Sequence, residues 1–257
     1  MDTAAENLKG SGEQLQMFLD VMARFDRYSL NNALLILEQM PDAARLKTFE
    51  EWKAAGVSVN RGETAVSLLE PGKEYTRDNG ETGVSINVKK VFDVSQTNSR
   101  QRGTPTVTRD ERLLLKSLIT GAPCRMVISD TMPEQLNALY KPEERTIYVR
   151  AGMDAQTIFR SLVNELAHAH MDKGNYQRNE NTVAAYCVSY VLCRRSGVST
   201  DSFDFTRVPG RFQRMNSQEL RGELNKIRSV AGEITRDMKR VLEAQARSQR
   251  ERKDEAR

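Results

Sequence analysis

The sequence predicts an α+β protein: N-terminal helices with a small antiparallel sheet, then a helical domain with a short sheet and a long C-terminal helix. Three observations carry this prediction. Apolar residues recur at helical steps through residues 12–40, 154–195 and 216–241. Between residues 66 and 94 they alternate with polar ones, the period of a strand. The polar segment Ser95–Pro105, carrying Gly103 and Pro105, separates the two halves.

Taken in order, Leu15, Phe18, Leu19, Met22 and Phe25 mark a first helix over 12–25. A second runs from Ser29 to about Met40, with Leu30, Ala33, Leu34 and Leu37 on one face, Ser29 as cap and Pro41 closing it. Thr48 and Glu51 form a capping box for a short helix that Gly56 ends. Val66, Leu68 and the run Val84–Val88 read as strands, with Asp78-Asn79-Gly80 as the hairpin turn. Lys90–Val94 reads as a third strand.

The second half opens with a helix near Arg109–Ile119 and a strand at Arg125–Ile128. Ala138–Tyr140 and Thr146–Val149 flank a Lys-Pro-Glu-Glu turn as a hairpin. Helices follow at Asp154–Met171 and Asn181–Arg195, and another starts at Asn216 or Ser217. In this last helix Leu220, Leu224, Ile227, Val230, Ile234, Met238 and Val241 keep steps of three and four, which buries one side. Ala246–Arg257 has no apolar stripe and is expected to fray. The expected organisation is a domain at 1–97, a linker at 98–106, a second domain at 107–215, and a C-terminal helix with a charged tail at 216–257.

Composition bounds the function. With 39% hydrophobic residues the chain buries a sizeable core, and 29% charged residues with a net charge of +4 fit a soluble protein. No apolar run approaches the roughly 18 residues that span a bilayer, and the polar start Met1–Glu6 carries no secretory signal, so a cytoplasmic protein without membrane contact is expected. Cys124, Cys187 and Cys193 lack C-x-x-C spacing and are expected as reduced thiols.

The most telling motif is Ser161-Leu-Val-Asn164-Glu165-Leu-Ala-His168-Ala-His170. In the His-Glu-x-x-His helix of zinc peptidases, two His four apart bind the metal from one face, and the Glu is general base toward the metal-bound water. Glu165 and His168 stand in register here, but Asn164 holds the first ligand position. A neutral amide oxygen is a poor substitute for imidazole at zinc. The expectation is a vestigial site, with Glu165 without its catalytic role, His168 without its metal, and no cofactor. A zinc peptidase with an altered ligand set, using His168, Asp172 and another side chain, is the rival.

Two sets of residues resemble a known family. Tyr28-Ser-Leu-Asn31-Asn32-Ala-Leu-Leu-Ile, Lys47-Thr-Phe-Glu-Glu-Trp52, Val59-Asn-Arg61-Gly62-Glu63 and Val91-Phe-Asp93-Val-Ser-Gln96-Thr97 occur in the order of the N-terminal domain of ArdC-type antirestriction proteins. That resemblance implies a domain that binds single-stranded DNA and is carried on mobile elements. Thr157–Asp172 followed by Ala185–Cys193 is similar to the zincin-like domain fused to such modules, related to the ImmA/IrrE peptidases. The family's third metal ligand, a Glu, falls at Tyr186. Glu180, six residues earlier, lies about 240° around the helix and does not replace it.

The implied partner is single-stranded DNA, with a host or element-encoded protein gripped by the inactive cleft as the alternative. Phosphates need cations and bases need flat side chains. Arg24, Arg27, Tyr28, Asn31, Lys47, Arg61 and Lys89 are the candidates. Trp52 and Phe92 sit in apolar patterns and are expected in the core. Asn164, Glu165, His168 and Tyr186 are expected to be joined by hydrogen bonds or water in the former cleft.

Overall fold

The computed structural model describes residues 2–99 and 110–255. The chain divides into two compact units, Met1–Pro105 and Thr106–Arg257. The mixed α and β content is that expected from the sequence. Most of the expected linker, at 100–106, lies outside the described residues, as does Arg109. No described helix is long and apolar enough to cross a membrane.

In the first unit, α1 (Asp2–Asn7), α2 (Gly12–Arg24) and α3 (Leu30–Gln39) precede the sheet. Ser11 and Ser29 cap α2 and α3, each side-chain oxygen accepting the N–H three residues on. Leu15, Phe18, Leu19 and Met22 of α2 pack inward with Leu30, Leu34 and Ile36 of α3. The two-residue strand β1 (Leu46–Lys47) leads into α4 (Phe49–Ala54), whose capping box between Thr48 and Glu51 is complete in both directions.

The sheet is a long hairpin, β2 (Val66–Thr76) and β3 (Thr82–Asp93), with Gly80 at φ 84° in its turn, and β1 pairs the root of β3. Lys90–Val94 is therefore not a separate third strand. Val84–Val88 and Lys90–Asp93 belong to β3 together, since two successive lysines break the hydropathy pattern but not the backbone pairing. At the root, buried Asp93 accepts the N–H groups of Ala44 and Arg45 through Oδ1 and that of Ser95 through Oδ2. Burial raises its pKa, but those N–H donors outweigh burial and hold the carboxyl below its usual value.

The outer edge of β2 is covered by two amide side chains of α3. Asn32 donates to the Leu69 carbonyl and accepts its N–H, both at 2.8 Å. Gln39, two turns on, does the same at Ser67, at 3.0 and 2.9 Å. Together they stand in for a neighbouring strand.

The second unit holds α5 (Glu111–Gly121), capped by Asp110, and a three-stranded sheet in the order β4-β6-β5. β4 (Arg125–Ser129) is parallel to β6 (Thr146–Arg150), and β5 (Ala138–Lys141) is antiparallel to it and forms an edge. Then come α6 (Ala155–Met171), α7 (Arg178–Ser196), the short α8 (Pro209–Phe212) and α9 (Ser217–Glu255). Asp154 caps α6 by accepting the N–H groups of Gln156 and Thr157.

α6 lies against α7 and the edge strand β5, and α9 packs on α5 and α7. The α9 stripe Leu220, Leu224, Ile227, Ala231 and Ile234 is thereby buried within its own unit rather than offered to a partner helix. Contrary to the expected fraying, α9 stays helical to Glu255. Its tail is rich in Ala, Gln, Arg, Lys and Glu, whose helix propensity needs no apolar stripe.

Candidate functional site

α6 carries the motif. Its helical period turns Glu165 and His168 toward β5 and α7, while Ser161 and Asn164 face an open cleft of about 450 Å³. Arg160, Glu165, Tyr186 and Ser202 line that cleft with them.

Glu165 is 4% exposed and fully engaged. Oε2 accepts the backbone N–H of Tyr140 at 2.7 Å and Nη1 of Arg178 at 2.9 Å, and Oε1 accepts Nη2 of Arg178 at 2.6 Å. The carboxylate thus joins edge strand β5 to the first residue of α7 through a two-pronged ion pair. Such a pair satisfies a charge that burial would otherwise heavily penalise.

His168 shares a hydrogen bond between Nδ1 and the Tyr176 hydroxyl. Burial, then the nearby Arg178 charge, lowers its pKa to about 3, so the imidazole is neutral at physiological pH. Burial raises the Tyr176 hydroxyl to about 12 and keeps it a phenol. The Tyr140 hydroxyl donates to Asp172 at 2.9 Å, and the Tyr140 and Tyr176 rings meet edge-on at 6.0 Å. His170 turns away and pairs with Glu233 of α9 at 3.2 Å.

Tyr186 lines the same cleft as Asn164 but bonds elsewhere. Its hydroxyl accepts the Asp204 N–H at 2.6 Å and donates to the Asp204 carbonyl at 3.3 Å, and its ring packs on Phe203 and Phe205. The direct bonds of Glu165, His168 and Tyr186 each run to a separate partner rather than to one another. The sequence reading missed Arg178, Tyr140 and Tyr176. A buried carboxylate without a metal needs a cation, and Arg178, the nearest arginine after the motif helix, was the available signal.

These donors do not fit a metal ion. Both Glu165 oxygens are bonded, His168 Nδ1 faces Tyr176, and Asp172 accepts Tyr140 and the Gly174 N–H. Among the described residues no three His, Cys, Asp or Glu side chains are grouped to hold one.

In the first unit, the charges of Lys89 and Lys47 act on Glu51, and that of Glu51 acts on Tyr28. The Thr48 N–H and, more weakly, the charges of Lys89 and Lys47 hold the Glu51 carboxyl below its usual value. Burial and then Glu51 raise the Tyr28 phenol. Lys47 lies over the Trp52 ring, 5.0 Å from its centroid, with Arg45 at 5.5 Å, and Lys89 stands 3.8 Å from Glu70. Trp52 is in the core, donating Nε1–H to the Phe92 carbonyl at 2.9 Å.

Arg27 is exposed, and Arg61 is exposed in the turn before β2. Arg24 donates to the Pro41 carbonyl and so serves the fold. Asn31 is half-buried on α3, and its neighbour Asn32 is the residue that braces β2.

Residues 5–112 match the family model of the N-terminal domain of anti-restriction factor ArdC. The uncharacterized protein pXO2-81 of Bacillus anthracis is 27% identical over 246 residues, covering 74% of this chain; the match spans 41% of that relative's length. The metal-free crystal structure of the antirestriction ArdC protein from R388 plasmid superposes with a TM-score of 0.54 at 16% identity, over 81% of this chain and 82% of that one. Its Mn(II)-bound structure gives 0.53 at 15% identity, over 80% and 82%. At these identities the likeness establishes a common fold.

Proposed function

We propose that this chain is an antirestriction-type accessory protein of a mobile element. In this reading the N-terminal unit holds single-stranded DNA, and the second unit keeps a zincin-like helix pair without peptidase chemistry. The match of residues 5–112 to the N-terminal domain of an anti-restriction factor carries this reading. The exposed cations Arg27 and Arg61 of the same unit support it.

A base stacks on the Tyr28 ring, which stays an uncharged phenol, while Lys47 and Lys89 meet the phosphates on either side. Arg27 and Arg61 extend the phosphate contacts, and Asn31 serves a sugar or base edge. Arg24, whose Nη2 bonds the Pro41 carbonyl, lies at the end of α2 beside this group.

Fluorescence anisotropy with a single-stranded oligonucleotide tests this. Four cations on a single strand give a log–log salt slope of about −2.8. Lys89→Ala makes that slope shallower by about 0.7, and Tyr28→Ala weakens binding without changing it. Absence of binding at low salt, or a preference for duplex, sinks the proposal.

In the second unit, Glu165 is charge-paired and hydrogen-bonded, so its role is to hold β5 against α7 rather than to take a proton. Metal analysis of untagged protein separates this from the zinc-peptidase reading. Stoichiometric zinc surviving dialysis overturns it.

A further inference from the structure

The two long edges of the β2–β3 hairpin are treated differently. The β2 edge is guarded by Asn32 and Gln39 and carries Pro71, which has no N–H to offer. On the other side of β3, β1 pairs only Phe92 and Asp93.

The register shows which groups face that open side. Leu69 and Ser67 turn their N–H and carbonyl groups outward to α3. Their cross-strand partners Val88 and Lys90 therefore turn theirs away from β2 as well. The same parity holds at Ile86, opposite Pro71. Past the bulge, the bond from the Arg77 N–H to the Glu81 carbonyl leaves Val84 facing outward too.

Val84, Ile86 and Val88 also expose their side chains, by 50%, 70% and 60%, all on one face. Among the described residues nothing bonds to these outward backbone groups. An unguarded edge with β-branched residues is a template for strand addition.

The geometry points to a second copy of this chain as the occupant, with β3 pairing β3 in antiparallel register about a two-fold axis at Ile86. In that register Ile86 meets Ile86, Val84 meets Val88, and Lys90 meets Thr82. No like charges fall opposite one another. The two hairpins become one four-stranded sheet, β2-β3-β3-β2, with an apolar centre. Nucleic acid fits this strip poorly, because three aliphatic side chains offer no ring for stacking. The strip is smaller than the roughly 800 Å² per partner of a standard interface, so the dimer is reversible and concentration-dependent. This inference is independent of the DNA-binding reading.

Sedimentation velocity on the full chain from about 5 to 500 μM tests it, the range in which an interface below standard size associates. The expected weight-average mass rises from 29.1 kDa toward twice that value. Ile86→Lys places two like charges on the axis at a solvent-exposed position and returns the protein to monomer. Ile86→Cys with a short bismaleimide gives a covalent dimer well above the wild-type background from Cys124. A constant monomer mass overturns the inference, as does association that Ile86→Lys leaves unchanged. Loss of oligonucleotide binding in Ile86→Lys, with wild type monomeric throughout, assigns the strip to DNA and overturns it as well.

Discussion

Replacing Arg178 by Met leaves a buried carboxylate, Glu165, with no cation beside it. The substitution keeps the length and most of the apolar contact of the side chain while removing both guanidinium bonds, at 2.9 and 2.6 Å. Breaking a fully buried ion pair from one side costs about 3–5 kcal/mol. Here the Arg178 side chain is 37% exposed, so water already screens part of the interaction. Glu165 also keeps the Tyr140 N–H bond. Discounted for both, the expected loss is about 2 kcal/mol, or roughly 4–8 °C in the melting temperature of a unit this size.

The second arm of the cycle is Glu165→Gln, whose amide oxygen still accepts the Tyr140 N–H. It leaves Arg178 charged but able to turn to solvent, and costs about 1 kcal/mol. The double variant has neither charge to satisfy. Its loss is expected to fall short of the sum of the singles by at least about 1 kcal/mol. Urea denaturation of the full chain, read as two transitions because there are two units, supplies the three differences. An unchanged second-unit transition in Arg178→Met, or strictly additive singles, refutes the view that this pair joins β5 to α7.

Three further outcomes follow from the same geometry. His168 has a folded pKa of about 3 against 6.5 unfolded, so the unfolded chain binds the extra proton between those values. Its contribution is complete above pH 6.5 and is lost as pH falls toward 3, by up to about 1.4 kcal/mol per pH unit; a His168→Gln variant should show a correspondingly shallower pH slope in its melting curves. Chelator should leave the melting temperature unchanged, and Asn164→His alone should not create a tight zinc site, because Glu165 and Tyr186 stay committed to Arg178 and Asp204. A drop of several degrees with EDTA, reversed by zinc, contradicts both. Asn32→Ala removes two bonds to Leu69 and should cost about 1–3 kcal/mol, with faster hydrogen exchange at the Leu69 amide.

What the sequence shows and what it hides divide along the range of the interactions involved. Helices α2, α3, α6, α7 and α9 are legible because apolar patterning, and for α3 the cap Ser29, are local. β1 is two residues long and has no periodicity to read, and the Lys89-Lys90 pair split β3 in the hydropathy pattern alone. The motif on α6 located the cleft, whose wall includes Asn164, part of Glu165 and, from α7, Tyr186.

The partners were hidden because each lies on another element: Arg178 at the start of α7, Tyr140 on the edge strand, Asp204 in the loop after α7. The cation that a buried Glu requires was supplied by a side chain 13 residues away in sequence, across a turn whose path only the fold determines. A missing metal ligand therefore says less about a site than the charge that stands beside its remaining carboxylate. In this chain that charge is the Arg178 guanidinium, which bonds both Glu165 oxygens.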